Sequence, residues 1–345
     1  MRILGIESSC DETAAAIVEN GSHILSNVVV SQIDIHASYG GVIPEVAARS
    51  HIEAVQPVIQ KALKDANCNY SDIDAIAVTH TPGLVGSLLI GTLTARTLAI
   101  LHNIPFYPTH HLKSHIYANW LSGHEPQFPL LAAVISGGHT QIIYMKQHDH
   151  FEIIGTTRDD AIGECFDKVA KILGLPYPGG PAIADIAKNG NPDKYQLPIP
   201  KVDGLDFSFS GIKTAVLRAV QKELNLPITT PSHELHNHLN ETQIANFAAS
   251  FQKTAAKILA NKLKKASEQY EAKSILLAGG VSANQLIREE LQRKFQNTHQ
   301  VYFPEPKYST DNGAMVASAA YYSIQAGEQP TDPYELDISP RSIIC

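Results

Sequence analysis

One plan of strands and turns occurs twice in this chain, and that duplication limits the folds open to it more than any other feature. The first copy reads as an apolar strand at 2–7, a polar turn at 8–12, a strand at 13–18, an Asn-Gly turn at 20–21, a strand at 23–30 and a helix over 44–66. The second reads as a strand at 130–135, a turn at 136–139, strands at 140–145 and 151–155, and a helix over about 160–173. Short apolar runs bounded by Gly, Asn and Asp carry the strand assignments. Further strands precede helices, 74–79 before 83–102 and 274–278 before 284–295, so each sheet should have a parallel part. The pattern predicts an α/β chain of two similar lobes.

With 345 residues the chain exceeds what one small core accommodates. The expected division is an N-terminal lobe of 1–125 plus about 321–345, and a C-terminal lobe of 126–320. The Pro-, Asp-, Gly- and Ser-rich segment at about 188–240 reads as an insertion of irregular or short-helical chain. Helices are expected at 242–270 and 311–325, and the last twenty residues carry little signal. The apolar stretch 84–100 approaches membrane length, but it contains Arg96, two glycines and three threonines, so a buried helix of a soluble protein is expected. Acidic residues stand where a signal peptide needs an apolar run. Cys10, Cys68, Cys165 and Cys345 are scattered without a CxxC pair, which suits a reducing compartment. The expectation is a cytoplasmic protein that spans no membrane.

Net charge is −7 with neutral histidines. A chain that grips RNA alone usually carries a basic face. Lysines cluster at 253–265, and Arg288, Arg293 and Lys294 follow, but such clusters are commonly solvated helix faces. Composition by itself therefore does not nominate a nucleic-acid binder.

Several short segments carry chemistry. Residues 7–13, Glu-Ser-Ser-Cys-Asp-Glu-Thr, crowd carboxylates and hydroxyls into a strand-to-strand turn, suited to phosphate or metal handling or simply to a solvated hairpin. Ser136, Gly137 and Gly138 occupy the equivalent turn of the second copy, where two glycines allow backbone N–H groups to converge on an anion. Gly279 and Gly280 join a strand to a helix whose N-terminus favours an anion, and Gly179 and Gly180 form a similar loop. His111 and His115 stand at i and i+4, a spacing that puts two imidazoles on one helix face. With 16 histidines in the chain, roughly 0.7 such pairs arise by chance, so the spacing alone is a weak signal. No Glu follows His111, which removes the metalloprotease pattern. His233 and His236 lie in a polar loop and read as surface residues. Asp311 precedes a helix of small residues, where an Asp is commonly the N-cap, and it is also a candidate third metal ligand.

Taken in order, GIESSCDET, GGVIPEVAARSH, TPGLVGSLLIG, HLKSH, SGGHT, GECFDKVAK, YPGGP, DFSFSGIKTAV, AGGVSAN and TDNGAM resemble the TsaD family nearly end to end. These are the bacterial tRNA N6-adenosine threonylcarbamoyltransferases, whose archaeal and eukaryotic counterparts sit in the KEOPS complex. The resemblance implies an actin-like ATPase (ASKHA) fold, two ribonuclease H-like lobes with a ligand cleft between them. It implies transfer of threonylcarbamoyl from threonylcarbamoyl-AMP to adenosine 37 of tRNA. By position, His111, His115 and Asp311 would hold one divalent metal ion, iron(II) or alternatively zinc. Val134, Ile135, Ser136, Gly137 and Gly138 would contact substrate, Asp167, Gly180 and Asn284 would bind the adenylate, and Asp11 and Glu12 would flank its phosphate end.

The chain departs from the family twice. Archaeal relatives carry a ligating Tyr where Val134 stands, so the metal would keep an open or water-filled position. Many relatives carry an Asp at the place of Ala184, whereas here the Asp is one step later, at 185. TsaB-like and TsaE-like partner proteins are implied as well, which suits an acidic chain acting on tRNA. A small-molecule kinase and a non-catalytic scaffold of the same fold are the competing readings.

Overall fold

The computed structural model describes residues 1–344, and Cys345 lies outside the described residues. The chain begins with Arg2–Glu7 (β1), Glu12–Glu19 (β2) and His23–Ser31 (β3), an antiparallel meander in which Glu7 stands opposite Ala14. Ile33–Ala37 (α1) and Pro44–Asp65 (α2) follow, then Ala75–Thr81 (β4) parallel to β1. Val85–His102 (α3) returns to Phe106–His110 (β5), parallel to β4, and His111–Tyr117 (α4) starts on the next residue. In α2, Pro44 occupies the first turn, where its missing N–H costs nothing, and Ala47, His51, Val55, Val58, Ile59 and Ala62 form the buried stripe.

The second sheet repeats the first. Leu130–Ile135 (β6), Thr140–Met145 (β7) and Phe151–Thr156 (β8) come in sequence. The helices Ile162–Ile172 (α5), Gly179–Ile186 (α6), Ser210–Glu223 (α7) and Glu241–Gln269 (α8) follow. Ser274–Ala278 (β9), Gln285–Phe295 (α9) and Gln300–Tyr302 (β10) complete it. The strand orders are β3-β2-β1-β4-β5 and β8-β7-β6-β9-β10, one order used twice, with β6, β9 and β10 mutually parallel. The duplicated sequence plan is thus a duplicated sheet.

By contacts the chain forms two compact units, 1–127 with 145–152 and 304–345, and 128–144 with 153–303. Pro306–Ser309 (α10) and Gly313–Gln325 (α11) therefore belong to the first unit, which the chain re-enters at Pro304, upstream of the return expected near residue 321.

Alternation along β1 decides what the first sheet offers to each side. Leu4 and Ile6 join the core cluster containing Val58 and Ile59 of α2 and Ala95 and Ala99 of α3. Ile3 joins the opposite cluster, with Ala16, Ala77, Met315 and Ala317. Gly5 and Glu7 share the face of Ile3, the face that α11 covers. The small residues Gly313, Ala314, Ala317 and Ala320 let α11 lie directly on the strands. A side chain on Gly5 would run into the carbonyl oxygen of Gly313, and one on Gly313 would come within 2.5 Å of the Ala16 nitrogen.

Three expectations need correction. The 188–240 segment contains α7, a 14-residue helix, because Ile212, Val216 and Val220 bury one face at four-residue spacing. Its Ser-Phe-Ser-Gly start reads as loop, yet Asp159 accepts from the backbone N–H groups of Phe209 and Ser210 and so caps that end. The second is α3, expected to be buried: Leu88, Gly91, Thr92, Ala95 and Ala99 are enclosed, while Val85, Leu89, Leu93 and Leu101 on its other side are exposed. The helix is long and apolar enough to cross a membrane, but its small residues gather on one face, and only that face packs. The third is the C-terminal tail, which runs along the first unit. Tyr334 and Leu336 carbonyls accept from Arg96, and the Pro340 carbonyl accepts from the Gly83 N–H. Such backbone-mediated contacts leave no periodicity in sequence.

Candidate functional site

The chemistry of the first unit gathers where β5 passes into α4. His110 ends the strand, and its Nδ1 accepts the Leu112 N–H at 3.2 Å, capping α4. His111 and His115 then lie one turn apart on α4 with rings edge-on, 4.6 Å between centroids. Asp311 arrives from the other end of the sequence. Its commoner role falls to its neighbour: Asn312 accepts the Met315 N–H at 3.0 Å as N-cap of α11 and donates to the Thr310 carbonyl at 2.8 Å. Freed from capping, Asp311 places Oδ1 3.0 Å from His115 Nε2 and 3.6 Å from His111 Nε2. One ligand atom from each of these residues lies within 4.8 Å of the others, the only such group among the described residues.

Behind His111 stand Glu7 and Ser9, which sequence reasoning placed in the turn suited to phosphate or metal handling without giving either a role of its own. His111 Nδ1 is 3.2 Å from Glu7 Oε2 and 3.2 Å from Ser9 Oγ. Glu7 also accepts the Thr79 hydroxyl at 2.7 Å and the Ser9 N–H at 2.6 Å. The available signal was a lone carboxylate closing a strand whose interior, Ile3 to Ile6, is apolar.

This pocket attracts positive charge. Burial works against ionisation of Asp311, but His111 and His115 hold its carboxyl down to about 2. Burial likewise opposes a charge on His111, yet Asp311 and Glu7 push its imidazole up to about 9. Two carboxylates around two imidazoles thus retain a proton where a cation can sit. Two imidazole nitrogens and a carboxylate oxygen are a donor set that zinc and iron both accept. His115 Nδ1, buried without a hydrogen-bond partner in the protein, leaves its ring held from the Nε2 side alone. The residues present fit a divalent ion.

The turn at 8–12 is pinned from two helices. The Cys10 carbonyl accepts from His51 Nε2 at 2.9 Å and from Ser87 Oγ at 3.2 Å, and the Asp11 carbonyl accepts the Gln32 N–H at 2.9 Å. Burial, then Asp311 and Asp11, push the Glu12 carboxyl up to about 10. Glu12 is therefore a neutral acid at pH 7, with Oε1 accepting from Ser31 Oγ at 3.3 Å. Burial raises the Cys10 and Cys165 thiols, so neither is a ready thiolate.

These shifts predict a pH effect on the metal-free protein. The His111 contribution is complete below its ordinary 6.5 and is lost as pH rises through about 9. Glu12 keeps a proton that the unfolded chain releases near 4.5, so stability also falls from there toward about 10. The unfolding temperature in chelator should fall between about pH 6 and about pH 9, and restoring a divalent metal should flatten the decline. Thermal melts across that range check it, and a flat profile in chelator would contradict the assigned charges.

In the second unit, the turns after β6 and β9 lie side by side because the strands are parallel neighbours, Val134 beside Ala278. Val134 and Ile135 are wholly buried, so within the run expected to touch substrate only Ser136, Gly137 and Gly138 have free surface. Neither glycine of that turn adopts the left-handed conformation, so the alternating backbone of an anion nest is not formed. Their value is space, since a side chain on either would meet nothing.

The other glycine pairs divide the work. Gly279 has φ +87° and lies against the Ile135 carbonyl, and Gly179 lies against Asp167 and Ala170, whereas Gly180 and Gly280 face open space. Asp167 accepts the Gly179 N–H at 2.7 Å, and Gly163, one turn earlier on α5, donates to the Ser136 carbonyl at 3.2 Å. The expected loops thus meet around α5. Asn284 caps α9 through the Ile287 N–H at 3.1 Å and donates to Gln252 at 2.9 Å. Asp185 is exposed and pairs with Lys188.

The basic clusters are largely committed. Lys253 pairs with Asp193 and Arg293 with Glu290, Lys262 and Lys265 bond the Gly204 carbonyl, and Arg288 bonds the Ser282 carbonyl.

Residues 23–318 match the family described as TsaD, tRNA N6-adenosine threonylcarbamoyltransferase. A relative of that name from Caldicellulosiruptor bescii is 48% identical over 95% of this chain and 94% of its own length. One from Symbiobacterium thermophilum is 47% identical over 98% of this chain and 94% of its own length. Among solved structures, HypF from T. kodakarensis aligns with 94% of this chain and 48% of its own, at a TM-score of 0.63 and 13% identity. An activator of 2-hydroxyisocaproyl-CoA dehydratase from Clostridium difficile aligns over 94% and 96% at 0.52, also 13% identical. At that identity the structural likeness speaks for fold alone, and the fold is the expected actin-like one.

Proposed function

We propose, because this chain belongs to the TsaD family of tRNA N6-adenosine threonylcarbamoyltransferases, that it transfers threonylcarbamoyl from threonylcarbamoyl-AMP to N6 of adenosine 37. The acceptors are tRNAs that read codons beginning with A, and AMP is released. The observation that carries the reading from family to mechanism is the convergence of Asp311 on His111 and His115, residues 196 positions apart in the case of the closer pair.

His111, His115 and Asp311 would hold one divalent ion, proposed as iron(II) in preference to zinc. When bound, the ion supplies Lewis-acid polarisation and a template for oxygen ligands. The open turns at Ser136–Gly138 and Gly180 hold the adenylate of the donor, with Asp167 fixing the Gly179 loop and Asn284 the start of α9. The N6 amine adds to the carbamoyl carbon, the bond from that carbon to the AMP phosphate oxygen breaks, and AMP departs with the electron pair. The amine proton passes to Asp11, and Glu12 beside it flanks the phosphate end of the donor. Orientation of donor and amine, not a covalent enzyme intermediate, carries the rate.

A net charge of −7 and committed lysines support weak tRNA binding by the chain alone and a need for partners. A TsaB-like protein is the partner proposed for the apolar stripe on α2 and α3, where Ile52, Val85, Leu89 and Leu93 are 59%, 55%, 41% and 45% exposed. A TsaE-like ATPase completes the set.

The test is nucleoside mass spectrometry of unmodified tRNA incubated with the chain, both partners and threonylcarbamoyl-AMP. Threonylcarbamoyladenosine should appear, and should be much reduced when the TsaB-like protein is left out. Intact components that yield no product would remove the reading.

A further inference from the structure

We infer that Glu7 is a positioning residue for the metal centre, fixing the tautomer and ring orientation of His111 so that Nε2 is the ligand atom; this rests on the metal reading above. Glu7 is wholly buried at the end of β1, on the face that α11 covers. A carboxylate in such a place is expensive unless every lone-pair direction finds a donor. The sheet supplies two. The Ser9 N–H, which can only donate, bonds Oε1 at 2.6 Å, and the Thr79 hydroxyl bonds Oε2 at 2.7 Å from the neighbouring strand. Both oxygens therefore present lone pairs, and the third partner, His111 Nδ1 at 3.2 Å from Oε2, must bring the proton.

With the proton on Nδ1, the lone pair of neutral His111 is on Nε2, the nitrogen that faces Asp311. The other imidazole has no such support, since His115 Nδ1 has no hydrogen-bond partner in the protein. Glu7 is then the one carboxylate that orders a ligand ring from behind. It also completes the charge: with two neutral imidazoles, Glu7 and Asp311 together balance a divalent ion. Ser9 ties this arrangement to the 8–12 turn, because the same residue gives its N–H to Glu7 and sets its hydroxyl oxygen 3.2 Å from His111 Nδ1 as a second acceptor for that proton. Glutamine fits the space but replaces one acceptor oxygen by a donor, so it cannot serve Ser9 and His111 together.

The experiment measures Zn(II) affinity of the full chain by competition with a chelating indicator, for wild type and Glu7→Gln, with folding followed by circular dichroism. The expected result is a folded variant that binds Zn(II) about 10- to 100-fold more weakly. A folded variant within about twofold of wild type would overturn the assignment of Glu7 while leaving the metal reading intact. A wild-type chain that binds no divalent metal would remove both. Should Glu7→Gln fail to fold, ¹⁵N-histidine NMR of zinc-loaded wild type decides. A proton on His111 Nδ1 with Nε2 bound to metal supports the role, and metal on Nδ1 refutes it. A merely structural Glu7 would not set that tautomer.

Discussion

Replacing His111 and His115 together by alanine is expected to abolish bound divalent metal and to lower threonylcarbamoyl transfer by about 10²- to 10³-fold, the several kcal/mol a Lewis-acid centre typically contributes. The fold should survive. The apolar anchors of α4 are Leu112, Ile116 and Tyr117, all essentially buried, and neither substitution touches them. What is left behind is a pair of enclosed carboxylates, Glu7 and Asp311, without imidazole partners. They should take up protons rather than unfold the chain, at a cost in stability that grows as pH rises. Elemental analysis of the purified variant, nucleoside mass spectrometry of the tRNA and a thermal melt together check the expectation. Full transfer by the metal-free variant would show that the three residues do not serve the reaction.

Gly313→Ala is expected to act on the same centre without touching a ligand. The added methyl would lie 2.5 Å from the Ala16 nitrogen and 2.6 Å from the Ala15 carbonyl carbon, backbone atoms in the middle of β2 that cannot give way. The helix must move instead, and overpacking of this kind costs about 3 kcal/mol. Asp311 lies two residues before Gly313 and travels with the start of α11, while His111 and His115 stay on α4. A displacement of about 1 Å at that carboxylate is enough to lose about 100-fold in a positioned site. The variant should therefore melt at a lower temperature and also bind Zn(II) far more weakly, even well below its melting point. A large loss of stability with metal affinity unchanged would mean that the centre does not depend on how closely α11 lies on the sheet.

The second prediction shows why part of the site was hard to read in advance. The histidine pair was visible because i and i+4 on a helix is a local relation, and the turns at 136–138, 179–180 and 279–280 were visible because glycine marks them. Whether a given glycine faces a ligand or a neighbouring strand was not visible. Gly179 and Gly279 are packed against backbone and Gly180 and Gly280 are open, although the letters are the same. Helix α7 was missed for a related reason. Its start carries Ser and Gly, which suit a loop, and the cap that makes it a helix is Asp159, some fifty residues away.

What the sequence determined alone was the repeated strand plan, the helix faces and the i, i+4 placing of His111 and His115, since these depend on periodicity and on side-chain chemistry. The tertiary structure decided which of two adjacent residues, Asp311 or Asn312, caps α11 and which turns to the histidines. It also decided that Glu7, rather than Asp11 or Glu12, lies behind His111. The second outcome follows from the sheet order that sets β4 between β1 and β5, and the first from the approach of α11 to β1 and β2 through Gly5 and Gly313. That contact joins segments some three hundred residues apart, and no local pattern encodes the distance at which two backbones meet.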